Sequence, residues 1–220
     1  MKKWRNRIFL MILCAAFLCT GCRGDFDAAG YTEALLHLMF QGDTKEAMKR
    51  IDGATYDSLM QKYQESVNTF TTNVITSQFD ISETKYEQFA ELTAEIFSIM
   101  RYEVTGASES GDQEYEVSVS IQPADIFVRF QELLTADSLE MAEEIKAGKY
   151  TGTDEEAGRQ ILADIVNHAY ELLDTACKSV EYGEKKTVIL KVRADENNEY
   201  SIDKEDMNNL ITKILRLDEM

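Results

Sequence analysis

At Arg101 the period of the apolar residues changes, and that change fixes the class of fold open to this chain. Before it, Tyr31, Leu35, Leu38 and Met39 recur at steps of three and four. So do Tyr56, Leu59, Met60, Tyr63, Val67, Phe70 and Val74, and then Phe89, Leu92, Ile96, Phe97 and Met100. Such steps place side chains on one stripe of a helix. From Arg101 the step is two: Tyr102 and Val104 alternate with polar residues, and so do Tyr115, Val117, Val119 and Ile121 beyond a turn at Ser108 to Asp112. This pattern predicts an antiparallel hairpin.

The same order then recurs. Pro123 suits a first helical position because its φ is already set, and Ile126, Phe127, Phe130, Leu133 and Leu134 follow at helical spacing. Thr135, Asp137 and Ser138 compete for backbone hydrogen bonds, which predicts a break near Ala136. Thr153 with Glu156 forms a capping box for a long helix carrying Ile161, Ile165, Leu172 and Ala176 on one stripe and Leu162, Val166, Leu173 and Cys177 on the next. A helix apolar over so wide an arc predicts cover on more than one side. Val188, Leu190 and Val192 alternate, Asn197-Asn198 supplies turn chemistry, Tyr200 and Ile202 close a second hairpin, and Asp203 caps a last helix bearing Met207, Leu210, Ile211 and Ile214. A lone hairpin is barely stable in water. The two therefore join most simply into one four-stranded antiparallel sheet with helices on a single face, each hairpin following a long helix, in one α+β domain over 31–220.

The amino terminus is of another kind. Lys2, Lys3, Arg5 and Arg7 precede an apolar run from Ile8 to Leu18, which reads as a secretory signal over 1–21. The run is shorter than the roughly 20 residues that span a bilayer. Thr20-Gly21-Cys22 at its end resembles the lipobox of bacterial lipoprotein signals. The resemblance implies cleavage before Cys22, a diacylglycerol on its thiol, and a body held on the extracytoplasmic face of the cell membrane. Residues 22–30 then read as the lipidated cysteine and a tether, ending at Gly30. Cys19 and Cys22 also have C-x-x-C spacing, but the cut separates them. Cys14 and Cys19 leave with the signal and Cys22 is acylated, so Cys177 remains without a disulfide partner and is expected in the core as a small hydrophobe.

The formal net charge is −17, and removal of the four leading cations takes the body to about −21. That sign disfavours nucleic acid, whose binding rests on Lys and Arg neutralising phosphates, and it favours solubility by self-repulsion. Little in the chain nominates a reaction. His37 and His168 are the only histidines and both fall in helical stretches, which excludes a three-histidine zinc site. Ser108 and Ser110 lie in a hairpin turn, not a strand-to-helix elbow, and no phosphate-binding glycine loop occurs. Asp195, Asn197, Glu199 and Asp206 count as positions 1, 3, 5 and 12 of a calcium loop. Position 6, however, is Tyr200 where the sharp turn needs glycine, and no helix precedes it. The same residues read equally as a hairpin turn and a helix cap. No metal, cofactor or catalytic residue is expected.

Tyr102-Glu103-Val104, the segment Tyr115 to Pro123 with Asp125 and Phe127, and Phe26-Asp27-Ala28-Ala29-Gly30-Tyr31 resemble recurring segments of small extracytoplasmic lipoproteins of Gram-positive bacteria. The close Tyr200-Ser201-Ile202-Asp203 before a helix is similar to that of cystatin-like and nuclear-transport-factor-like domains. These resemblances imply no reaction. The expectation is a non-catalytic domain that binds an envelope protein or a cell-wall component while held to the membrane by its lipid. The alternative is a carrier of a small apolar ligand in a pocket between sheet and helices, near Tyr102, Tyr115, Phe127 and Phe130.

Overall fold

The computed structural model describes residues 26–77 and 81–220, so the signal, the Cys22 lipidation site and the first part of the tether lie outside the described residues. The chain is α+β, with a four-stranded antiparallel sheet in the order β1-β2-β3-β4. Its elements are α1 (Ala28–Gln41), α2 (Lys45–Arg50), α3 (Tyr56–Phe70), α4 (Glu83–Ser98), β1 (Arg101–Gly111), β2 (Glu114–Gln122), α5 (Ile126–Lys146), α6 (Asp154–Lys178), β3 (Lys186–Ala194), β4 (Tyr200–Ile202) and α7 (Lys204–Ile214). They divide into two compact units, which the reading of 31–220 as one domain does not anticipate. One runs to Pro123 and resumes over Glu184–Ile214; the other comprises Ala124–Gly183 and Leu215–Met220.

In the first unit both expected hairpins form and join through β2 and β3, which pair from Glu114 opposite Arg193 to Ile121 opposite Lys186. The alternation of the sequence becomes the two faces of the sheet. Val117, Val119, Ile121, Leu190 and Val192 are fully buried, whereas Glu116, Lys191 and Arg193 on the opposite face are exposed. α1 packs against β1 and β2, and α7 packs against β3. Behind α1, Phe97 of α4 meets Phe40 of α1 edge-on at 5.7 Å and Phe70 of α3 at 5.0 Å. Aromatic pairs favour this geometry because the positive ring edge meets the negative face. β1 runs through Ser108 to Gly111, so the turn is tighter than the Ser108 to Asp112 span suggests.

The tether is shorter than the sequence suggests. Asp27 accepts the backbone N–H of Gly30 at 2.9 Å and so caps α1, which begins at Ala28. A Cβ at Gly30 would meet the Arg50 guanidinium and the Asp27 carboxylate, which are themselves 2.9 Å apart, so a side chain there would push the ends of both aside. Residues 28–30 are thus helix.

The second unit is built on α5 and α6, which pack together. Its base is closed by a bridge between Ala124 and Tyr182 and by Glu181 N–H donating to Asp125 Oδ1 at 2.8 Å. Pro123 does not open α5, because Ala124 takes part in that bridge and Asp125 occupies the cap position. Nor does α5 break at Ala136. The Thr135 and Ser138 hydroxyls donate to the carbonyls of Gln131 and Thr135 without displacing the helical ladder. The Thr153–Glu156 capping box forms as expected. The wide apolar arc of α6 is covered only over its second half: Val166, Ala169, Leu173, Ala176 and Cys177 are buried, but Leu162 is 41% exposed.

The Asp27 cap gives a measurable test. The Gly30 N–H, and after it the Arg50 guanidinium, hold its carboxyl below the ordinary carboxylate value. A depressed folded-state pKa contributes stability that is complete above the unfolded pKa and lost as pH falls through the folded one. Asp27→Ala should therefore cost about 0.5–2 kcal/mol near neutral pH, read as a lower urea midpoint. The deficit should shrink between about pH 5 and pH 3, and a deficit independent of pH would contradict this role.

Candidate functional site

Register gathers the tyrosines at one end of the sheet. Tyr115, near the start of β2, stands opposite Val192, which in turn stands opposite Ile202; Tyr200 lies two residues before Ile202. With a period of two, both tyrosines share the buried face. Tyr31 of α1 reaches the same place, and its hydroxyl donates to the backbone carbonyl of Tyr200 at 2.7 Å. Phe26 completes the cluster. Its ring lies parallel to Tyr200 at 3.6 Å and within 5.4 and 5.5 Å of Tyr31 and Tyr115. Phe26 precedes the Asp27 cap and Tyr31 is the fourth residue of α1, so the pair is a hydrophobic staple that sets the angle at which the chain enters the helix. Burial pushes the Tyr200 phenol above its ordinary pKa; Tyr115 beside it, and Asp112 and Glu109 beyond, add to the rise.

Tyr102 sits elsewhere. It packs on Phe40 at 5.2 Å and His37 at 5.8 Å, and its buried hydroxyl makes no hydrogen bond. Burial raises its pKa well above that of a free phenol, and the Glu33 and Asp43 carboxylates reinforce the shift. Tyr102 stands opposite Ile121 in β2, six residues beyond Tyr115, a distance of about 20 Å along the strand. The hairpin does not bring these two residues together; each belongs to a separate cluster. Phe127 and Phe130 are buried on α5 in the second unit.

The polar candidates are occupied by local structure. Asp195 accepts the N–H groups of Asn197 and Glu199 at 2.8 and 2.9 Å, Asp203 caps α7 through Glu205 and Asp206, and Asp206 accepts from the Lys191 backbone at 3.0 Å. These are the turn and cap that the calcium-loop spacing also allowed. Among the described residues no three His, Cys, Asp or Glu side chains converge to hold a metal ion. His168 lies in α6 and bonds Asp137 of α5 at 2.8 Å. Cys177 is buried, and Ser108 and Ser110 lie exposed on β1.

The sequence reading leaves Phe26 in the tether, without a packing role, because Gly30 reads as the end of a linker. The signal was present as an aromatic residue, an aspartate cap and a second aromatic four residues into the helix.

No protein-family model and no curated protein matches the chain. Among solved structures it is similar to the crystal structure of a "putative lipoprotein (ycdA)" from Bacillus subtilis, with 14% identity and a TM-score of 0.48 over 86% of this chain. The chain spans 56% of that structure's length.

Two tyrosine-to-phenylalanine changes separate the clusters. Tyr31→Phe removes a buried hydrogen bond and leaves a carbonyl without its donor, which should cost about 1–2 kcal/mol in urea unfolding. Tyr102→Phe removes a hydroxyl that is buried without a partner, so stability should hold or rise by up to about 1 kcal/mol. A larger loss at Tyr102 than at Tyr31 would contradict this assignment.

Proposed function

We propose that the chain is an extracytoplasmic lipoprotein, anchored to the cell membrane through a diacylglycerol on Cys22. Its body binds an envelope protein or a cell-wall component and performs no catalysis. The observation that carries this reading is Thr20-Gly21-Cys22 at the end of a charged and then apolar leader, four residues before Phe26, which is packed into the folded body. One further fact is compatible with it: among the described residues no helix is long and apolar enough to cross a membrane. Two acyl chains suffice for stable anchoring, since each buried methylene contributes about 0.8 kcal/mol. The non-catalytic side of this reading rests on how the polar side chains are employed. The acidic groups that come closest to a ligand set, Asp195, Asp203 and Asp206, accept backbone N–H groups of their own turn and helix.

Growth of the native host with a clickable fatty acid should label the protein, and Cys22→Ala should abolish the label and release the body from the membrane fraction. Labelling that persists in the variant would refute the anchor. Crosslinking on intact cells should then recover a reproducible envelope partner with the wild-type body.

A further inference from the structure

Resting on the Cys22 anchor, we infer that the end of the sheet formed by its two hairpin turns is the end held against the bilayer. The lipid dictates where the chain is attached, and the Phe26 cluster dictates which part of the first unit that attachment pulls on.

Phe26 is fixed by stacking on Tyr200 and by contact with Tyr31 and Tyr115. Cys22 precedes it by four residues, so the acylated thiol lies within about 14 Å of Phe26 even if the intervening chain is fully extended. The tyrosines that hold Phe26 stand beside the two turns. Tyr115 follows the β1–β2 turn directly and Tyr200 follows the β3–β4 turn. The turns are joined to one another: Gln113 Nε2 donates to Asn198 Oδ1 at 3.1 Å, and Ala194 N–H donates to the Gln113 carbonyl at 3.2 Å. Gln113 and Asn198 both have positive φ, 57° and 61°, which the tight turns require. The staple and both turns therefore form one end of one unit, and Phe26, the nearest described residue to the attachment point in sequence, lies at that end.

The charge of that end shows what kind of contact this is. Glu109, Asp112, Glu114, Asp195, Glu196 and Glu199 cluster around the turns, while Arg193 lies near Glu114 at 3.4 Å. Anionic headgroups repel such a surface. The short covalent tether, not electrostatic attraction, keeps it at the membrane. The opposite end of the sheet, where Arg101, Lys185 and Lys186 lie, is turned away from the bilayer toward the envelope.

The test uses the full chain, processed by its host and reconstituted in phosphatidylcholine vesicles that carry a headgroup nitroxide. A fluorophore is placed at Asp112→Cys or Glu196→Cys beside the turns, or at Lys186→Cys at the other end; all three positions are exposed. The two ends lie about 26 Å apart along β3, so quenching at the turns should exceed that at position 186 by about twofold or more. Twelve Gly/Ser residues inserted between Gly24 and Asp25 add roughly 19 Å of reach and should erase the difference. Equal quenching at both ends of an acylated protein overturns the placement alone, as does a contrast that survives the insertion. Mass spectrometry showing Cys22 unmodified overturns the anchor and the placement together.

Discussion

Eight residue pairs join β2 to β3, and the sheet depends on them. Each hairpin alone is marginal in water; joined, they present Val117, Val119, Ile121, Val188, Leu190 and Val192 as one continuous buried surface. A slip of one residue would turn Glu116, Ser118 and Ser120 inward, because side chains alternate strictly along a strand. The register is thus enforced by the helices that lie on this face. Between the two strands the chain makes an excursion of 60 residues, Ala124–Gly183, and closing a flexible loop of that length costs about 4 kcal/mol. The excursion is not a flexible loop. α5 and α6 return its two ends to each other, and the Ala124–Tyr182 bridge and the Asp125–Glu181 hydrogen bonds close it at the base. Folding of the second unit therefore offsets much of the closure entropy that the β2–β3 pairing would otherwise face.

Within the first unit, α1 is where the other elements meet. Phe40 joins it to α4 and β1, and the Tyr31 hydroxyl joins it to β4. The Asp27 carboxylate does two jobs, accepting the Gly30 N–H and facing Arg50 at the end of α2. The entry of the chain into α1 is consequently specified three times, by cap, staple and ion pair. Such agreement between local and tertiary signals is what gives a single native arrangement.

The same agreement explains what was legible in the sequence. Thr153 and Asp203 cap the helices they were expected to cap, and the two-residue alternation placed both hairpins. These features depend on neighbours within four residues or on a period of two, so one chain suffices to read them. The errors arise where local signals compete or where tertiary packing decides. Gly30 reads as a linker and is instead in the first turn of α1, where its N–H donates to the Asp27 cap. Thr135 and Ser138 read as helix breakers, yet their hydroxyls bond to carbonyls of the preceding turn and the helix continues. The π-helical turn Thr71–Ile75 after α3 left no mark in the apolar pattern. It is held by a buried hydrogen bond, 2.8 Å long, between the Thr71 and Thr93 hydroxyls, which are 22 positions apart. The pairing of Tyr115 with Tyr200 and the separation of Tyr102 from both follow from sheet register, which periodicity alone does not supply.

The acidity of the chain has a structural side that composition conceals. Asp27, Glu156, Asp195, Asp203 and Asp206 each accept backbone N–H groups, so a share of the 40 acidic residues serves to end helices and close turns. Carboxylates used in this way are poor candidates for catalysis, since a general acid or base must exchange its proton with a substrate near working pH. Hydrogen bonds from the backbone do the opposite and stabilise the ionised form. The downward shifts of the Asp27, Glu156 and Asp195 pKa values have this origin: a backbone N–H is the leading cause in each case. These three carboxylates thereby stay charged near neutral pH and add to the negative field of the body.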